Sequence, residues 1–174
     1  MIPAKYAWLG SLELPCMFAE GFKLYGTLEV PGAADNPTII AWAKETGLSN
    51  VYKHDATAWC GLYLAVVAKR AGKPVVQGPL WALNWSKFGV LKTPPGLGDV
   101  LCFKRPGGGH VGIYIAEDPT AYHVLGGNQG DKVSIIRVEK ARCVAHRRPI
   151  YTNQPASVKP YHVAATGALS TNEA

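Results

Sequence analysis

The sequence predicts an α+β domain in which N-terminal helices pack on a C-terminal antiparallel sheet. Two observations carry that expectation. Helix punctuation fills the first half: Asn36-Pro37 opens one segment, and Gly72 with Pro74 closes another. The second half changes period, to short apolar or alternating runs between turns. Helices first and a strand meander after give segregated layers.

The elements follow in order. Lys5 to Leu12 reads as a short helix, with Tyr6, Trp8 and Leu9 available for packing. Glu29-Val30-Pro31-Gly32 is a turn. Asn36 caps the next helix, Pro37 takes its first position, and Gly47 ends it. A third helix starts within Asp55-Ala56-Thr57-Ala58-Trp59-Cys60-Gly61, with Asp55 or Thr57 as N-cap. It runs through the apolar stretch Leu62 to Ala68 and stops after Lys69 and Arg70. Pro79 to Phe88 reads as a short helix carrying Trp81 and Trp85. The strands are Asp99 to Phe103, His110 to Ile115, Ala121 to Leu125 and Val133 to Val138, with an edge strand at Val144 to Arg148. From Tyr151 the pattern fades, so residues 1–150 form the domain and 151–174 an extended or flexible tail.

Composition bounds the function. A chain of 174 residues, 48% hydrophobic, has enough apolar material for one domain with a core. The net charge of +6 suits anionic partners such as cell-envelope polymers. The positive residues are scattered and carry no nucleic-acid module signature, so no nucleic-acid partner is expected. The 4 cysteines form no C-x-x-C pair, which argues against a zinc site. No cofactor is expected. The N-terminus lacks a charged segment followed by an apolar run, and no stretch is long enough to span a membrane. Synthesis in the cytoplasm without a signal peptide is the expectation.

The candidate chemistry centres on Cys60. At a helix start, the dipole and unpaired N–H groups favour the nucleophilic thiolate. Gly107-Gly108-Gly109-His110 opens a strand, and Gly126-Gly127-Asn128-Gln129 closes the next. A turn at Glu117-Asp118-Pro119-Thr120 makes the two strands a hairpin. That hairpin sets His110 opposite Gly127–Asn128 and His123 opposite Ile113 or Tyr114. Cys60 then serves as nucleophile, His110 as base, and Asn128 as the side chain that orients the imidazole. Each residue alone has a plainer reading: Cys60 as core, His110 as strand cap, Asn128 as turn-former. Their order, and their position beside glycines or a helix start, favours the catalytic one. His54 is the rival base and Asp55 the rival orienter. Trp59, Trp81, Trp85 and His54 are candidates to line a substrate groove.

The chain resembles the phage-associated branch of the CHAP (cysteine, histidine-dependent amidohydrolase/peptidase) superfamily. The likeness covers roughly residues 5–150. It rests on Glu29-Val30-Pro31-Gly32 with Asn36-Pro37 and Ile40, Thr57-Ala58-Trp59-Cys60, Pro95-Gly96-Leu97-Gly98-Asp99-Val100, Gly109-His110-Val111-Gly112 and Leu125-Gly126-Gly127-Asn128-Gln129. Gly61-Leu62 departs from the small residue and aromatic expected there. The resemblance implies a papain-like fold and a peptidoglycan hydrolase, either a cysteine endopeptidase or an N-acetylmuramoyl-L-alanine amidase. It places the nucleophile on Cys60, the base on His110 and the third position on Asn128. An endolysin released by a holin, or a lysin carried by the virion, is the implied setting. Peptidoglycan is then the partner, with virion components as a further candidate. A virion docking protein, a same-triad acyltransferase and a delivered toxin are the alternatives. No loop of alternating acidic residues is present, so the calcium of some relatives is not carried over.

Overall fold

The computed structural model describes residues 2–170 and residue 173. The first half is helical. A 3₁₀ segment at Ala4–Ser11 precedes α1 (Cys16–Lys23), α2 (Pro37–Glu45) and α3 (Cys60–Arg70), and a second 3₁₀ segment spans Ala82–Lys87. Asn36 caps α2 as its sequence signal requires: its side chain accepts the Thr38 N–H at 2.7 Å, with Pro37 at the first position. α3 is buried at every position from Cys60 to Ala68, so it is the central helix rather than an amphipathic one. It begins at Cys60 itself. Neither Asp55 nor Thr57 caps it. The residue at the cap is Trp59, with no side-chain cap bond. Asp55 instead accepts the N–H groups of Val30 at 3.0 Å and Asn36 at 2.7 Å, tying the turn before α2 to the loop before α3.

Among the described residues, the second half forms one seven-stranded sheet in the order β1-β6-β2-β3-β4-β5-β7. Its strands are β1 (Val90–Leu91), β2 (Val100–Arg105), β3 (Gly108–Glu117), β4 (Ala121–Gly126), β5 (Ser134–Glu139), β6 (Cys143–Arg148) and β7 (Leu169–Ser170). All neighbours are antiparallel except β5 and β7. β6 is not an edge strand, because β1 pairs outside it. In the β3–β4 hairpin, Ile113 pairs with Leu125 and Tyr114 with Val124. A bulge then shifts the register, so His123 faces Ala116 rather than Ile113 or Tyr114.

The main core lies between the helices and the sheet, and a smaller cluster around Leu101, Phe103, Tyr114 and Val124 lies apart from it. A buried pair fixes the sheet's beginning: Arg148 donates through Nε to Asp99 Oδ1 at 2.9 Å and through its terminal nitrogen to Oδ2 at 2.8 Å. Beyond β6 the chain is mostly irregular but tied to the domain. Ser157 Oγ donates to Glu13 O, the Leu97 N–H to Lys159 O, and the Val163 N–H to Glu117 O. Of the expected tail, residues 171, 172 and 174 lie outside the described residues. Among the described residues, no helix is long and apolar enough to cross a membrane.

Candidate active site

Cys60 opens α3 against β3. Cys60 is 5% exposed, and its thiol faces the backbone N–H of Val111, the residue after His110. The fold thus brings the helix start alongside the strand segment that carries the histidine. The thiol and the ring make no hydrogen bond to each other among the described residues. Burial pushes the thiol up. The Val111 N–H, the Arg105 charge, and the N–H groups of Gly61 and Cys60 pull it back only in part. The expected resting thiolate is therefore overturned: desolvation outweighs the helix start.

The orientation of His110 follows from two backbone carbonyls. Gln129 Nε2 donates to Ser134 O at 2.6 Å and to Val124 O at 3.2 Å. Only an amide nitrogen can satisfy two carbonyl acceptors, so the Gln129 oxygen must be the end that faces His110 Nε2, at 2.9 Å. Nε2 therefore carries the hydrogen, and Nδ1 is the basic nitrogen of the neutral ring. Burial pushes the imidazole down to about 4, although the Glu173 carboxylate and the Gln129 bond favour its charged form. Cys60 and His110 thus rest at neutral pH as an uncharged thiol and an uncharged imidazole.

Gln129, not Asn128, holds the ring. β4 ends at Gly126, and Asn128 adopts a left-handed conformation, φ 54°, which turns the chain. The Asn128 side chain is thereby sent to α3, where its Oδ1 accepts the Trp59 N–H at 2.9 Å. The next residue, Gln129, comes back to the histidine. Two glycines permit this close approach. A Cβ on Gly127 would sit 2.6 Å from Tyr63 Cβ and 2.8 Å from the Trp59 ring, and one on Gly126 would sit 3.3 Å from His110 Nε2.

The aromatic candidates separate. Trp59 and Trp85 are fully buried core residues whose indole N–H groups go to Glu29 Oε2 and Pro79 O. Trp81 is 56% exposed and lines a cleft of about 460 Å³ with Val51, Thr57, Ala58 and Pro79, next to the helix start. His54 is exposed and its Nδ1 lies 3.2 Å from Asp35 Oδ2. Residues missed in the sequence flank His110. Arg142 grips Glu173 with two bonds of 2.8 and 2.7 Å, and Glu173 is buried close enough to act on the imidazole. Burial alone would raise the Glu173 carboxyl; the Arg142 bonds and the His110 charge outweigh it and hold it low. Among the described residues, no three His, Cys, Asp or Glu side chains converge to hold a metal ion.

No protein-family model matches the chain, and comparison with curated proteins finds no match.

Proposed function

We propose that this chain is a cysteine-dependent amide hydrolase of papain-like architecture that acts on bacterial peptidoglycan. The observation that carries the reading is the fixed imidazole: Gln129 presents His110 with Nδ1 as its basic nitrogen, on the strand against which the Cys60 helix start packs. The substrate class comes from the resemblance to CHAP enzymes, and the net charge of +6 suits an anionic wall.

In this mechanism Nδ1 takes the thiol proton as Sγ attacks the carbonyl carbon. The tetrahedral adduct collapses to a thioester, and Nδ1–H protonates the departing amine. Water then attacks the thioester, giving its proton to Nδ1. The carboxylic acid leaves and ionises to solvent, and the Nδ1 proton returns to Sγ. Because thiol and imidazole both start neutral, proton transfer accompanies attack rather than preceding it. The bond cut lies in the peptide stem, its cross-bridge, or the stem–sugar linkage.

Dye release from labelled, purified peptidoglycan tests this reading. Release by the wild type and none by Cys60→Ala is expected. No release by the wild type would remove the hydrolase and leave a docking protein on the same fold. Release that requires an added amine would make it a transferase.

A further inference from the structure

We infer that Asn128 is a catalytic residue of a different kind: its side-chain amide is the second hydrogen-bond donor of the oxyanion hole. The inference rests on the cysteine-hydrolase reading and adds a role to it.

The amide's orientation is fixed by chemistry. Its partner is the Trp59 backbone N–H, a donor, so the end that meets it must be the oxygen. The nitrogen is therefore the end left over. That nitrogen makes no hydrogen bond among the described residues and reaches solvent, although Asn128 as a whole is only 7% exposed. Here one end is anchored one residue before the nucleophile, and two N–H donors are left uncommitted beside it.

Two further features fit a prepared site. The first is the left-handed backbone of Asn128, which asparagine tolerates better than most residues and which turns its side chain toward the start of α3. The loop that carries it is seated on the first turn of α3 through the Gly127 contact with Trp59 and Tyr63. The helix itself supplies the other donor. α3 has no side-chain cap, and the Cys60 N–H, at its first position, has no intrahelical partner. The Cys60 N–H and the Asn128 amide thus come from two elements that meet at Trp59. Charge develops on the carbonyl oxygen as Sγ bonds to the carbon, and fixed donors there act without reorganising.

The test compares two variants with the wild type. Asn128→Asp keeps an oxygen for the Trp59 N–H and tolerates the left-handed backbone, but it loses the donor. Asn128→Gly relieves the backbone and removes the side chain. Both should release dye from labelled peptidoglycan about 10²- to 10³-fold more slowly. Iodoacetamide alkylation of Cys60, followed by peptide mapping, should stay near the wild-type rate in Asn128→Gly, because attack on a saturated carbon builds no oxyanion. Near-normal dye release by the Asp variant would overturn the inference. So would an equal loss of dye release and alkylation in the Gly variant, which would mean a disturbed nucleophile. If Asn128→Gly does not fold, the Asp variant decides alone. A wild type that releases no dye instead removes the hydrolase reading itself, so the two failures are distinct.

Discussion

Replacing Gln129 with alanine removes the group that sets the tautomer of His110. The side chain holds three hydrogen bonds: 2.9 Å to His110 Nε2, 3.2 Å to Val124 O and 2.6 Å to Ser134 O. At about 1 kcal/mol net for each, the variant should be roughly 3 kcal/mol less stable, read as a shifted midpoint in urea unfolding. Stabilities of about 5–15 kcal/mol leave such a variant folded. Turnover should fall at least about 10²-fold, the lower end of what a positioned general base supplies. The pH profile carries a separate signature. The Gln129 bond favours the charged imidazole, so its loss should push His110 below its value of about 4. The acid limb of dye release should therefore move to lower pH while the plateau drops. A Gln129→Ala protein with wild-type turnover and an unmoved acid limb would refute the tautomer argument.

Four other outcomes are expected. His110 titrates near 4 in the folded chain against an ordinary 6.5, so the unfolded chain binds the extra proton between those values. Its contribution to stability is complete above the ordinary value and is lost as pH falls toward about 4, by about 3 kcal/mol; urea unfolding should show a smaller acid loss in His110→Gln, and equal losses would argue against it. Arg148→Met leaves Asp99 buried without its partner and should cost about 3–5 kcal/mol in the same assay; a cost below about 1 kcal/mol would mean that the pair is not buried in solution. Gly61→Ala should destabilise by about 1–3 kcal/mol or more, since its Cβ would meet the carbonyl oxygens of Pro79 and Leu80; a wild-type unfolding curve would show that the Pro79 loop gives way. In the resting protein, iodoacetamide should modify half-buried Cys16 before buried Cys60 and Cys102, and peptide mapping that finds Cys60 first would restore the thiolate.

The architecture was legible where local chemistry decides it. Asn36-Pro37 and Gly47 bracket α2, and the turn residues between β3 and β4 mark their hairpin. α1 was not legible. Its Pro15 cap has no side-chain bond, and Gly21, a poor helix former, lies in it because a Cβ there would meet the Tyr63 hydroxyl at 2.5 Å. That is a tertiary reason with no local signal. The candidate pair Cys60 and His110 could be proposed from order along the chain, but its fine geometry could not. The left-handed turn at Asn128 decides which of two adjacent amides meets the imidazole, and the Gly-Gly-Asn-Gln-Gly run permits that turn without requiring it. The bulge between Tyr114 and Ala116 likewise moved the partner of His123. The state of the Cys60 thiol depends on how deeply its neighbours enclose it, which spacing does not encode.

The proposed function requires that Cys60 and His110 together cleave an amide of peptidoglycan. Mass spectrometry of muropeptides released from purified peptidoglycan tests it most directly, using wild type, Cys60→Ala and His110→Ala matched by their unfolding curves. The wild type should release fragments with one new amine and one new carboxylate per cut, and both variants should release none. Unchanged fragments from a folded Cys60→Ala protein, or none from the wild type, would contradict it.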